Sequence, residues 1–460
     1  MSSAGYRVQN PATNEVVATF DSLADADVDT VLDRAVAAQR EWADKDITER
    51  AGVVSRIGEL FEERKEELAA IIAEEMGKRV SEGVEEAEFS AAIFDYYAKN
   101  GPELAKDQPI ESFSGGRAKI RRLPLGVLVG IMPWNFPYYQ VARFAAPNLM
   151  LGNAIVLKHA EICARSAQAI ETLLHDAGLP EGLYINVNAS HDQVAEMIAD
   201  QRVQGVSLTG SERAGAIVGA QAGKHLKKAV LELGGNDPYI VLDTDDVAAA
   251  AQTAWSTRMY NMGQACNSNK RMIIAEDIYD EFVAELVRLA SAMTDGAPES
   301  EDASVYTPLS SRPAAETLAE QVERARAQGA NVHVGGELRD DTTAYFSPAV
   351  ITDVTTEMDA YSEELFGPVA VVYKVADAEE ALALANDSQY GLGGAVFSQD
   401  RALAERIAAQ LEVGMANVNT PAGEGPEIPF GGVKQSGFGR ELGPVGMDEF
   451  VNKQMYFVQD

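Results

Sequence analysis

From residue 126 onward the chain repeats one texture, a short apolar run that ends in a turn and is followed by a helical stretch. The runs GVLVGIMP, AIVLKHA, LYINVNA, GVSLTGS and KKAVLEL follow one another in this way. Such alternation of β and α predicts a doubly wound, mostly parallel sheet. After about residue 233 it resumes with PYIVLD, RMIIAE, AVVYKV, GAVFSQ and MANVN, enough for a second α/β domain. Upstream, 25–43 and 47–78 carry apolar positions at helical spacing, after a short extended start from Tyr6 to Phe20. The stretch 109–123 (PIESFSGGRAKIRRL) interrupts the first domain with extended residues around a turn at Gly115-Gly116, a hairpin able to pair with 448–458. Because single cores stop growing near roughly 250–300 residues, a chain of 460 should hold at least two domains.

Charge narrows the partners. Seventy-one Asp and Glu against 38 Lys and Arg leave a formal charge of -33, spread along the chain. That surface repels nucleic acid and anionic membranes, so neither is expected as a partner. Its self-repulsion would be screened by salt, which suggests a salt-adapted host. The opening 30 residues lack the basic start and apolar run of a signal peptide, and no apolar stretch is long enough to span a bilayer. With only Cys163 and Cys266 there is no disulfide framework, and a reducing cytoplasm is expected. The five histidines have no ligand spacing and no G-x-S-x-G elbow occurs, so neither a metal nor a serine hydrolase is expected.

Cys266 follows Gly263-Gln264-Ala265 in small, polar surroundings, as on a loop that a substrate reaches; its thiolate would be the attacking species. Cys163 reads as an ordinary buried thiol. Glu232, in Val230-Leu231-Glu232-Leu233-Gly234-Gly235, is a carboxylate in an apolar run; partial burial would raise its pKa toward a general base's range. The two glycines would admit close approach of backbone or cofactor. Asn135, between Pro133-Trp134 and Phe136-Pro137, presents an amide able to donate to a developing oxyanion. The glycine fingerprint G-x-G-x-x-G is missing. Thr209-Gly210-Ser211 instead ends a strand and opens a helix whose free N–H groups suit a pyrophosphate.

In this order and spacing these segments resemble the aldehyde dehydrogenase superfamily over essentially the whole chain. The resemblance also takes in Glu364-Leu365-Phe366-Gly367-Pro368 and the tail Pro429-Phe430-Gly431-Gly432 through Gly439-Arg440-Glu441. It implies an α/β fold with a Rossmann-like NAD(P)-binding domain (1–108 and 125–232), a catalytic domain (233–425), and a β-flap with C-terminal tail (109–124 and 426–460) that pairs protomers into a homodimer or homotetramer. It implies that Cys266 attacks the aldehyde carbon while the Asn135 amide and the Cys266 N–H hold the oxyanion. Hydride then leaves for the nicotinamide, and Glu232 activates water to hydrolyse the thioester.

Pro133, Trp134, Lys158, Glu161, Thr209, Gly210, Ser211, Leu233, Glu364 and Phe366 match the family's cofactor contacts. A carboxylate at Glu161, beside the ribose, would repel a 2′-phosphate, so NAD is expected over NADP. Length, His159 after Lys158, and Arg143 are similar to the shorter succinate-semialdehyde dehydrogenase branch, in which an arginine at the Arg143 position grips the substrate's distal carboxylate. A surface or structural arginine is the ordinary alternative. That branch's second arginine is Tyr260 here, and Arg258 stands two residues away as its candidate replacement. The rivals are a general aliphatic, aromatic or lactaldehyde-type enzyme of the same mechanism and, more distantly, an inactive structural relative. A CoA-acylating enzyme would commonly lack Glu232.

Overall fold

The computed structural model describes residues 5–113 and 115–459; positions 1–4, 114 and 460 of the expected domain ranges lie outside the described residues. The five runs from 126 to 233 form one sheet in the order Lys228–Glu232, Val203–Thr209, Val127–Met132, Ala154–His159, Tyr184–Asn186, all parallel. A sixth strand, Gly437–Phe438, adds to its edge antiparallel to Lys228–Glu232, with Gly437 opposite Glu232. The tail thus reaches the first sheet as well as the flap.

The second sheet has seven strands in the order Asn331–Val334, Ala349–Thr352, Val369–Val375, Arg271–Ala275, Pro238–Val241, Gly393–Phe397, Met415–Val418. Only the first pair is antiparallel. Successive residues alternate between its two covered faces: Ile240 and Ile273 join the core on one side, Tyr239, Val241, Met272 and Ile274 that on the other. Burial on both faces is why these strands are apolar throughout. The sequence reading found five of the seven and passed over Asn331–Val334, an edge strand with His333 in it, and Ala349–Thr352, whose four residues are too few for a period.

The N-terminal helices Val28–Ala43, Ile47–Glu63, Lys65–Met76 and Val80–Leu104 pack on the first sheet in one core with Trp42, Phe61, Phe94 and Tyr97. The expected hairpin forms and pairs with the C-terminus: Arg117–Pro124 lies between Gln108–Ile110 and Val451–Val458, all antiparallel, in register from Val451 opposite Pro124 to Val458 opposite Arg117. Gly115 and Gly116 supply its left-handed turn at φ of 72° and 81°. Among the described residues no helix is long and apolar enough to cross a membrane.

Candidate active site

The helix Val247–Met259 stops short of Cys266, and the chain then turns through Asn261, Met262 and Gly263 with φ of 49°, 52° and 71°. For the two non-glycine residues this costs on the order of 1–3 kcal/mol each, and such a conformation persists only where its surroundings over-determine it. They do so here. The Asn261 N–H donates to Glu82 Oε2 at 3.2 Å, and its Nδ2 to the carbonyls of Asn135 at 2.9 Å and Gln264 at 3.2 Å. Gln264 Nε2 returns a bond to Asn261 O at 3.1 Å and its Oε1 accepts from Ser310 N at 2.9 Å. Asn135 Nδ2 donates to Gln264 O at 3.0 Å, which places the amide two residues from the thiol.

Cys266 is half-buried and lines a cavity of about 290 Å³ together with Phe136, Tyr139, Tyr260 and Phe430. Burial pushes its thiol up to about 11; Arg143 and Lys270 pull it down, while Glu364 and Asp237 add to the rise. Lys270, buried, donates to Ala265 O at 2.8 Å and Cys266 O at 2.7 Å and pairs with Glu364 Oε1 at 3.0 Å. Cys163, by contrast, is buried, and its thiol is held far above its usual range by desolvation.

Glu232 is the last residue of its strand and is buried, with no hydrogen-bond partner for either carboxylate oxygen among the described residues. Burial raises its pKa well above the carboxylate range; Arg143 and Arg440 offset part of this, and Glu441 and Glu449 reinforce it. The strand leads directly to Cys266: a Cβ on Gly235 would lie 2.4 Å from Cys266 O, so only glycine lets the two backbones touch.

Two expectations are corrected. Arg143 is not among the described residues that line the cavity. It is fully buried, its guanidinium between the rings of Tyr139 and Phe430 at 4.9 and 4.4 Å, ion-paired through Nε with Glu441, and 3.3 Å from Thr209 Oγ1. The reason is chemical: Glu441 is buried too, and two buried charges of opposite sign are stable only as a pair. Arg258 is likewise not among the described residues that line the cavity. Also fully buried, it donates to Val369 O, Gly263 O, Ser268 Oγ and Leu365 O at 2.7–3.1 Å, tying the Cys266 loop to the segment before Val369.

The expected cofactor residues gather beside this loop. Pro133 and Trp134 follow the strand Val127–Met132, and the Trp134 ring meets Phe366 edge-on at 5.7 Å, which joins segments 232 residues apart. Thr209 ends its strand, and Ser211 caps the helix Glu212–Lys224 by accepting from Ala214 N at 3.4 Å. Leu233 fills the space left by Gly215 in that helix, 2.5 Å from where a Cβ would stand. Beside Gly234 a Cβ would lie 2.6 Å from both Glu212 Oε1 and Glu364 Oε2, so a free edge is kept between two carboxylates. Lys158 Nζ pairs with Glu161 Oε1 at 2.5 Å. Burial lowers His159 to about 4, and the neutral ring donates from Nε2 to Pro137 O at 3.0 Å, which anchors the turn below Asn135. The start of the helix Glu212–Lys224, the Trp134–Phe366 aromatic edge and the carboxylates flanking Gly234 have a chemistry that fits a nicotinamide dinucleotide.

Sequence reasoning missed Lys270, a lysine in a polar run that reads as solvated. It also missed Glu85 and Glu424, which line the cavity with Glu86 and Asp237, whereas no Lys or Arg is among its described lining residues. Glu86 is occupied, paired with Lys78 Nζ at 2.5 Å and accepting from the N–H groups of Tyr138 and Tyr139.

Comparison with known proteins identifies the family. Residues 1–456 match the model of the aldehyde dehydrogenase family. The chain is 50% identical over 450 residues to a succinate-semialdehyde dehydrogenase of Deinococcus radiodurans named for NADP(+), covering 98% of this chain and 94% of that one. It is 42% identical over 445 residues to a succinate semialdehyde dehydrogenase of Escherichia coli named for NAD(P)+, covering 97% and 96%. The crystal structure of succinic semialdehyde dehydrogenase from Streptococcus pyogenes in complex with NADP+ superposes with a TM-score of 0.96 at 40% identity, over 99% of this chain and 100% of that one. Matched over residues 1–456 by the family model and along nearly its full length by these relatives, the chain is an NAD(P)-dependent enzyme of the aldehyde dehydrogenase family.

Proposed function

We propose that the chain oxidises succinate semialdehyde to succinate with Cys266 as nucleophile, Glu232 as base and Asn135 as oxyanion donor. The observation that carries the roles is the meeting of strand end and loop: Glu232 lies three residues before Gly235, which packs on the Cys266 carbonyl, while Asn135 is bonded to Gln264 on the other side. In this reading Cys266 Sγ forms a bond to the aldehyde carbon, and the Asn135 amide and the Cys266 N–H take the developing oxyanion charge. The nicotinamide, when bound, supplies the hydride acceptor. Glu232 then takes a proton from water, whose oxygen attacks the thioester carbon; the C–S bond breaks and the thiolate leaves. An unbonded buried carboxylate suits this, because its raised proton affinity makes it a stronger base than one on the surface.

The substrate rests on the relatives, whose names specify it at 50% and 42% identity. The same names favour NADP, against the expectation of NAD. The Lys158 ammonium on Glu161 offers a reason, since the carboxylate argued to repel a 2′-phosphate is already neutralised. Pro133, Trp134, Thr209, Gly210, Ser211 and Leu233 would hold the dinucleotide, with Glu364 and Phe366 on its nicotinamide side. The proposed division is 1–108 with 125–232, 233–425, and the flap with the tail. The six- and seven-stranded sheets support the cut near 232, while the tail crosses it through Gly437–Phe438 on Lys228–Glu232 and through Val433–Lys434 on Tyr390–Gly391, and Gln108 pairs within the flap sheet. Exposed Met455, Tyr456 and Phe457 on the flap sheet support pairing of protomers. The charge of -33 supports a saline cytoplasm.

A second reading is favoured by the cavity. Its lining offers carboxylates and no cation for the distal carboxylate of succinate semialdehyde, so an uncharged aldehyde is the alternative. The test is reduction of NADP and NAD with succinic semialdehyde, propanal, benzaldehyde and lactaldehyde at high salt, with Cys266→Ala as control. Highest kcat/KM for the semialdehyde supports the first reading, a preference for propanal or benzaldehyde supports the second, and inactivity with all returns the inactive relative.

A further inference from the structure

A lysine ammonium has three N–H donors, and each of Lys270's has a partner: Ala265 O at 2.8 Å, Cys266 O at 2.7 Å and Glu364 Oε1 at 3.0 Å. The side chain is 1% exposed, so its charge is desolvated and acts at short range. Two of its partners are the carbonyls that bracket the Cys266 residue. Because a trans peptide sets N–H opposite C=O, pulling Ala265 O toward Lys270 turns the Cys266 N–H the other way.

Resting on the Cys266 mechanism above, we propose that Lys270 is a positioning residue of the nucleophile. It orients the Cys266 peptide by bonding both flanking carbonyls, sets a cation on the backbone that carries the sulfur, and has Glu364 as its counterweight. The strained turn at Asn261 and Met262 brings the loop to this place, and Lys270 fixes its far end. Charged and titratable groups facing the thiol are Arg143 and Tyr139 from the helix Tyr139–Leu151, Asp237 after the glycine pair, Glu364 from the opposite loop, and Lys270 itself. Of these, Lys270 alone bonds the cysteine residue in the described hydrogen bonds. The thiol sits high through burial, so a cation that favours the thiolate raises the fraction able to attack.

The test uses the full-length protein without aldehyde. Iodoacetamide alkylation of Cys266 is followed against pH by mass spectrometry, with Cys266→Ala for background, in wild type, Lys270→Met, Lys270→Arg and Glu364→Gln. Lys270→Met should raise the alkylation midpoint by about one unit, read as about tenfold slower labelling below both midpoints. Glu364→Gln should lower it, and Lys270→Arg should restore most of the wild-type profile. Circular dichroism and Tm identify a variant that has not folded; where Lys270→Met has not, Glu364→Gln carries the test, since it conserves size and must still lower the midpoint. Profiles that superimpose, or Lys270→Met and Glu364→Gln moving the same way, overturn the proposal. Dehydrogenase activity surviving in Cys266→Ala would instead overturn the mechanism on which it rests.

Discussion

The loop that carries Cys266 and the mouth of the cavity in front of it are built on opposite principles. Around the loop the cations are buried and answered: Lys270 by Glu364 and two carbonyls, Arg258 by four acceptors, Arg143 by Glu441. At the mouth, Glu85 and Glu424 stand with no Lys or Arg among the cavity's described lining residues, and Glu424 is pushed above its usual range first by burial and then by Glu85. A position that must be held within tenths of an ångström is over-determined by bonds that water cannot exchange. A mouth that admits and releases substrate is left to longer-range electrostatics, which salt can alter.

The contrast predicts effects that shrink from loop to mouth. Cys266→Ala should abolish aldehyde oxidation, a loss of at least about 10⁴ in kcat, measured as NADP reduction; residual turnover would remove the loop from the chemistry. Glu232→Gln should slow thioester hydrolysis by about 10²–10⁴, so that rapid mixing shows a burst of reduced cofactor followed by a slow steady state. A loss of the burst itself would place Glu232 in the first step instead.

The pH dependence has a definite sign. Burial raises both the Cys266 thiol, to about 11, and the Glu232 carboxyl, and in the proposed roles each acts in its deprotonated form. Their active fractions therefore grow as pH rises, and kcat/KM should climb from neutral pH into the alkaline range, in contrast to a site with exposed, unshifted groups. A flat profile between pH 6 and 9 would contradict the burial argument.

Arg143→Met leaves Glu441 buried and unpaired, which should cost about 3–5 kcal/mol of stability, read by urea unfolding, and should depress oxidation of succinic semialdehyde and propanal alike. A selective loss for the semialdehyde would restore the substrate grip that the buried geometry removes. At the mouth, Glu424→Gln should lower KM for succinic semialdehyde about two- to fivefold at low salt, a partly screened charge effect of about 0.5–1 kcal/mol. The difference should vanish at molar salt and be missing for propanal.

Much of this architecture is written locally. The strand runs are visible because residues covered on both faces must be apolar, and Ser211 and Gly215 mark the helix start that Leu233 packs against. Cys266, Glu232 and Asn135 each had an ordinary reading taken singly, and only their order and spacing along the chain gave them roles by resemblance to the family. Arg143 was visible as a residue and misread in role, because a sequence does not record that Glu441, 298 residues later, shares its burial. Lys270 left no trace, since its partners are backbone carbonyls, which every residue has.

Periodicity and the apolar runs were therefore enough to determine an α/β chain with two parallel sheets, and the order of its motifs determined the family. Tertiary structure alone decided which buried charge answers which, that the tail strand Gly437–Phe438 closes against Glu232, and that the cavity before Cys266 is lined by carboxylates. The reason is range. Propensity and burial pattern act between neighbours in the chain, whereas desolvated charges and close backbone contacts depend on distances set only when segments hundreds of residues apart are packed together.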